Sequence, residues 1–381
     1  KRLMAEFEKE LAILKGRVDG LEAKVGELEA NQFSTTTKLS GEAIWTIGGA
    51  GNTGFGGDVA VNYNVTLGFN TSFTGKDLLY TELEAGNFDN SVFGNGNTVL
   101  ESEASSGNSV ELSKLFYQFP IGQNFTATVG ANVEQNDMLA MWPSAYPDDT
   151  ILDIFTYAGA QSTYNLTQGA GVGIWWENEG WSLSALYVAD LDSSQDSSVG
   201  AGEDFTVTVQ GAYSGENWGG AIAYTYSDFN NLGETELRPG LSDFFRNTSN
   251  NNIALSGYWA PLDAGWAPSI SAGFGYTSYD RSGDDEAWSW MVGLQWLDLF
   301  MEGNAGGMAL GSVGQLDGGN CANATCTASL WVDGGEENLA YEVWYKWQVT
   351  DNISVTPAFF WIENSGVDDT FGGLVKTTFS F

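Results

Sequence analysis

The sequence predicts an all-β fold, a closed antiparallel transmembrane β-barrel of 16 strands, preceded by an N-terminal α-helical coiled coil. Three observations carry that expectation. Apolar and polar residues alternate with a period of two along most of the chain. The connections between alternating runs are short and long by turns. No run of about 18 apolar residues exists that would cross a bilayer as a helix. In hydrocarbon every backbone N–H and C=O needs an internal partner, and a sheet supplies all of them only by closing on itself.

Residues 1–32 follow a different period. Met4, Phe7, Leu11, Leu14, Val18, Leu21, Val25 and Leu28 are spaced alternately three and four apart, a heptad seam with Val and Leu at its a and d positions. Glu and Lys fill the other faces. Such a helix is about 45 Å long and cannot bury its seam alone, so it needs partner helices. The other reading is a single amphipathic helix lying on the barrel.

The domain 33–381 changes to period two. In the first strand, Leu39, Ala43, Trp45 and Ile47 oppose Lys38, Ser40, Glu42 and Thr46. In the second, Val59, Val61, Tyr63, Val65, Leu67 and Phe69 alternate with Ala60, Asn62, Asn64, Thr66 and Gly68. Phe125 to Val133, Phe205 to Tyr213, Trp218 to Tyr226 and Leu339 to Gln348 repeat the pattern. The last strand ends on Phe381, with Phe371, Val375 and Phe379 on the same face. A charge on a lipid-facing wall near the midplane costs about 2–4 kcal/mol, so Glu342, Lys346 and Lys376 are expected to face the lumen. Residues 158–177 hold either one strand or two; one, starting near Gly169, keeps the strand number even.

Short connections fall near 120–122, 178–180, 214–216, 261–265, 297–298 and 350–352. Long ones fall near 48–57, 87–108, 134–162, 191–203, 228–250, 278–285, 311–337 and 362–368. Membrane barrels have short turns on one side and longer outside loops on the other. Counting strands between them gives about sixteen, enough to leave an aqueous channel. Tryptophans near strand ends, among them Trp45, Trp181, Trp218, Trp259 and Trp296, suit interfacial girdles.

Composition narrows the function. The 381 residues include 49 glycines, 7 prolines and 17% charged residues, with a net charge of −35 and no histidine. So acidic a chain lacks the basic footprint of a nucleic-acid binder. Without histidine the commonest general base and metal ligand are missing. No catalytic residue, metal site or cofactor is expected. Cys321 and Cys326 close a small disulfide loop in an oxidising compartment, or else stand as two free thiols. Gly49 to Gly54 matches a dinucleotide fingerprint in letters, but it leads into a strand rather than a helix. Asp190 to Ala201 echoes a calcium loop, with Gln195 and Ala201 where glycine and glutamate are required. An export signal is expected to have preceded Lys1.

Two stretches carry a family resemblance. The run Leu14-Lys15-Gly16-Arg17-Val18-Asp19-Gly20-Leu21 and the junction Asn31-Gln32-Phe33-Ser34-Thr35-Thr36-Thr37-Lys38-Leu39 resemble cyanobacterial outer-membrane porins. Tyr117-Gln118-Phe119-Pro120 resembles them too. The family's layout is an S-layer-homology domain, a coiled coil and a barrel similar to carbohydrate-selective porins. The resemblance implies a homotrimer in outer-membrane lipid, with the helix in the periplasm. It also implies an upstream domain, missing from this sequence, that holds peptidoglycan. Relatives carry an arginine-rich stretch after the constriction loop; Tyr157 to Asn165 here has no basic residue.

In a porin the work falls to pore size and the charges at its narrowest point. The insert 134–162 is the candidate constriction loop, with Glu134, Asp137, Asp148, Asp149 and Asp153 and no basic residue. Folded inward, these carboxylates favour cations; folded outward, they form a solvated acidic cap. Lys38, Lys114, Lys346 and Lys376 of the wall, with Arg238, Arg246 and Arg281 of the loops, are the opposing charges, and Glu42 and Glu342 add to the acids. The expected function is passive diffusion of inorganic ions and small hydrophilic solutes, with cations preferred. The rival reading is a structural tether between outer membrane and peptidoglycan with restricted conduction. An enzyme is not expected.

Overall fold

The computed structural model describes residues 15, 36–51, 59–94, 98–147, 150–190, 204–229, 248–263, 265–279, 286–317, 339–363 and 368–381. Within them the chain forms sixteen strands. The first eight are β1 (Thr37–Ala50), β2 (Ala60–Thr71), β3 (Leu78–Gly86), β4 (Glu111–Ile121), β5 (Phe125–Glu134), β6 (Gln168–Asn178), β7 (Trp181–Asp190) and β8 (Phe205–Ser214). The rest are β9 (Trp218–Phe229), β10 (Thr248–Trp259), β11 (Ser269–Tyr279), β12 (Glu286–Leu297), β13 (Ala305–Asp317), β14 (Leu339–Thr350), β15 (Ile353–Ile362) and β16 (Thr370–Ser380). Each pairs antiparallel with its sequence neighbours, and β1 closes on β16. The predicted strand number and the single strand after residue 167 both hold.

The closing seam runs from Glu42 opposite Ser380 to Ala50 opposite Gly372. At its end the Gly41 N–H donates to the Phe381 carbonyl at 2.8 Å, and the Phe381 N–H donates back to Gly41 at 2.9 Å. Period two sorts the side chains as the sequence suggests. Trp45, Ile47, Val61, Ile222, Leu255, Phe359 and Phe371 are exposed on the outer wall, while their neighbours Thr46, Asn62, Phe360 and Gly372 are buried inside. The hairpin between β6 and β7 turns on Glu179 and Gly180, with φ of 50° and 85°. Two successive left-handed residues make the turn whose twist matches the flanking strands, and glycine at the second position removes the steric cost.

Inside the barrel the connections 87–110 and 135–167 turn inward. The first was expected on the outside. Its apolar residues explain the difference: Phe88, Val92, Phe93 and Leu100 are buried in one cluster with Ile151, Leu152, Phe155 and Tyr157 of the second loop and Trp344, Phe360 and Leu374 of the wall. An outer position would have left all of them in water, at roughly 1.5–3 kcal/mol for each large side chain. A second cluster holds Met138 and Tyr164 against Phe116, Val133, Leu186 and Val188. Apart from Lys15, the heptad segment lies outside the described residues, as do Cys321, Cys326, Asp148, Asp149, Arg238, Arg246 and Arg281.

Candidate functional site

The loop 135–167 crosses the lumen along one half of the wall, and neutral side chains of successive strands hold it there. Near its start, Gln135 Nε2 donates to the Thr208 hydroxyl at 2.7 Å and to the Thr163 carbonyl at 2.8 Å. The Ala140 N–H donates to Ser184 Oγ on β7 at 3.0 Å. Gln210 on β8 donates to the Met141 carbonyl and accepts from the Tyr164 hydroxyl, both at 2.7 Å. Ser271 on β11 accepts the N–H groups of Ala145 and Tyr146 at 2.8 and 2.9 Å. Ser256 on β10 and Ser289 on β12 donate to the carbonyls of Ala158 and Gly159 at 2.8 and 3.0 Å.

Close backbone approach completes the seating. Gly159 has φ of 76°, and a Cβ on the facing Gly273 would meet the Ala158 carbonyl oxygen at 1.7 Å. Only a bare α-carbon lets loop and wall touch there. Midway along the loop, Tyr146 reaches Glu342 on β14 and Thr150 reaches Lys376 on β16.

The other half of the interior stays open. A cavity of about 930 Å³ runs between the two loops and strands β1 to β6. Glu42, Glu82, Glu84, Glu101, Glu103, Glu134, Asp137 and Asp153 line it, with Lys114 as its basic residue. Lys114 Nζ lies 2.9 Å from Glu134 and 3.0 Å from Asp137, so the ammonium is shared between two carboxylates. Glu82 accepts from the hydroxyls of Tyr80 and Ser113, and Glu84 accepts from Asn64 Nδ2 at 2.9 Å. These uncharged donors orient the carboxylates.

The predicted site residues therefore divide. Glu42, Lys114, Glu134, Asp137 and Asp153 meet around the cavity. Glu342 and Lys376 point inward as expected but are only 3% and 4% exposed, covered by the loop rather than lining the passage. Lys346 is half-buried on the same inward face of β14, nearer the short-turn end. Lys38 is exposed at the short-turn mouth of β1, away from the cavity lining. Sequence reasoning missed Glu82, Glu84, Glu101 and Glu103. For the first two a signal existed: they alternate with Leu79 and Leu83 in one strand, and a charge in a membrane wall belongs on the wet face. For Glu101 and Glu103 the signal was the apolar run around them, which draws their loop inward.

A closed sixteen-stranded wall with a loop narrowing its lumen defines a porin-type channel. The chain belongs to the carbohydrate-selective porin, OprB family, an outer-membrane family whose model matches residues 1–381. It is similar over its whole length to two uncharacterised cyanobacterial proteins. One is alr4550 of Nostoc sp. PCC 7120, 31% identical, with 72% of that protein covered. The other is sll0772 of Synechocystis sp. PCC 6803, 30% identical, with 76% covered. Among solved structures, Pseudomonas putida OprB superposes with a TM-score of 0.61 at 12% identity, over 91% of this chain and 94% of that one. The anion-selective porin of Comamonas acidovorans gives 0.58 at 10% identity, over 91% and 99%. At such identities these structures share the fold.

Proposed function

We propose that the protein is a cation-preferring diffusion channel for inorganic ions and small hydrophilic solutes. One observation carries the reading: eight carboxylates line the open cavity, and its one lysine is already shared between two of them. A unit charge about 4 Å from a permeating ion contributes roughly 4 kcal/mol at an effective dielectric of 20. Salt screens that figure, but over less than a Debye length of about 8–10 Å it does not abolish it. The family's description names carbohydrates, and a neutral sugar would pass such a cavity by size and hydrogen bonding rather than by charge.

The test is a reversal potential across a planar bilayer in a salt gradient. Cation preference supports the reading; clear anion preference refutes it. Liposome swelling in neutral sugars measures the carbohydrate route separately.

The heptad seam at Met4 to Leu28 favours a further reading, in which the helices of several copies join in the periplasm and tie the barrel toward peptidoglycan; Val at a with Leu at d leans toward two strands, and the homotrimer comes from the porin resemblance. Cross-linking in detergent tests the trimer. A barrel with near-silent conductance would make the tether its chief role.

A further inference from the structure

Glu342 lies outside the acid-lined passage, yet the constriction loop converges on it. Its Oε1 accepts the hydroxyls of Tyr146 and Thr150, both at 2.6 Å, and its Oε2 accepts the Leu152 N–H at 2.8 Å. Trp344, two residues along β14, donates its indole N–H to the Tyr146 hydroxyl at 2.9 Å. Lys376 Nζ donates to the Thr150 carbonyl at 2.7 Å. A buried carboxylate is costly unless hydrogen-bonded, and bonds to a charged acceptor are roughly twice as strong as neutral ones. Elsewhere along the loop the wall offers hydroxyls and amides, apart from the Lys114 ammonium that meets Asp137 near its start. Here one carboxylate gathers three donors from a span of seven residues.

The grip extends past the loop itself. Residues 151–153 pair with the second inward loop through the Leu100–Leu152 bridge. The Glu101 N–H donates to the Ile151 carbonyl at 3.0 Å, and the Asp153 N–H donates to Val99 at 3.1 Å. Glu101 and Glu103, which line the cavity, ride on that second loop.

We infer that Glu342 is the positioning residue of the constriction: it clamps the middle of loop 135–167 to the wall and thereby sets where the Glu101 and Glu103 carboxylates stand. This rests on the channel reading of the same site. Glu342 touches no permeating solute and acts through the loop.

The experiment compares Glu342→Ala, Glu342→Gln and Thr150→Val as full chains in planar bilayers. Barrel formation is confirmed by circular dichroism and by the mobility shift on heating. Release of the loop should raise single-channel conductance at least about twofold in Glu342→Ala, add open-channel noise, and move the reversal potential toward zero. Glu342→Gln and Thr150→Val should shift the same quantities less, and their double variant should fall short of additivity. Thr150→Val leaves the wall untouched, so it decides the question if Glu342→Ala fails to fold.

A second readout needs no conduction. Ile151→Cys, in a background with Cys321 and Cys326 changed to serine, should resist a water-soluble maleimide, because Ile151 is 2% exposed. Adding Glu342→Gln should make it react. Unchanged conductance and unchanged thiol protection in folded variants would overturn the clamp. An anion-selective parent protein would instead sink the cation reading and leave the clamp to be judged by its own two readouts.

Discussion

The two halves of the lumen use polar side chains in opposite ways. From β7 to β12 the polar inward positions that seat the loop, with the glycine Gly273 beside them, are neutral: Ser184, Thr208, Gln210, Ser256, Ser271 and Ser289. They are spent on the loop. From β1 to β6 the inward positions include Glu42, Glu82, Glu84 and Glu134, and they face the open cavity. Over these two stretches the same alternation that puts a polar residue inside thus has two outcomes that differ in charge; Glu342, a carboxylate the loop does cover, is met there by three donors. Neutral groups tolerate being covered once each has a partner, whereas a carboxylate loses far more on leaving water. One half of the wall supports the loop, and the other lines the open cavity.

The sharpest way to break that contrast is to strip the open half of its charge. Replacing Glu82, Glu84, Glu101 and Glu103 with glutamine should lower the cation-to-anion permeability ratio about tenfold or more, since about 1.4 kcal/mol corresponds to each decade. An unchanged reversal potential would show that these carboxylates do not govern permeation. Lys114→Met sharpens the same contrast from the other side. It leaves Glu134 and Asp137 without their shared cation, so cation preference should rise several-fold. Unfolding in urea should show a loss of roughly 3 kcal/mol, as expected when one partner of a largely buried pair is removed.

Changes on the supporting half should act through loop seating. Gly273→Val drives a side chain into the Ala158 carbonyl, and overpacking of this kind costs about 1–3 kcal/mol. Conductance noise should rise while the reversal potential moves little. Ser256→Ala removes one neutral hydrogen bond to the loop, at about 1 kcal/mol, and should be nearly silent in conductance. A large selectivity change from either would blur the division between the halves.

The smallest effect lies outside both halves, in the short turn between β2 and β3. The Asp77 carboxylate accepts from the Thr74 hydroxyl and N–H, from Ser72 and from Tyr117. The Thr74 hydroxyl first, with the other donors, holds its carboxyl well below the usual range, against the opposing effect of burial. Because the folded value is depressed, its contribution to stability is present above the ordinary carboxylate range and lost as pH falls through the lowered value. Unfolding of Asp77→Asn should lack that acid-side decline, and the two proteins should converge at the lowest pH.

Much of the wall was legible because its period is enforced residue by residue. Each of Val61, Tyr63 and Val65 is separated by an asparagine, and a slip by one would put every asparagine in lipid. Turn chemistry such as Asn178-Glu179-Gly180 marked the short side. The length of the insert after β5 drew attention to Glu134, Asp137 and Asp153. What stayed illegible depends on contacts far apart in the chain. Nothing near Glu342 announces Tyr146, Thr150 and Leu152 as its partners, nearly two hundred residues away. The inward fold of 87–110 follows from Phe88, Phe93 and Leu100, but only once a second loop and the wall exist to receive them. Local slips in pairing, such as the one between Gly130 and Val133, likewise need the neighbouring strand.

The join between Gly41 and Phe381 also constrains how the barrel is made. The two strands that meet there are the most distant in the chain, so sixteen strands leave two raw edges until the final one arrives. An uncapped edge in oil is intolerable, and one in water invites pairing with strangers. Assembly must therefore shelter both edges up to the last step, and a chain stalled before β16 would be stranded as an open, sticky sheet.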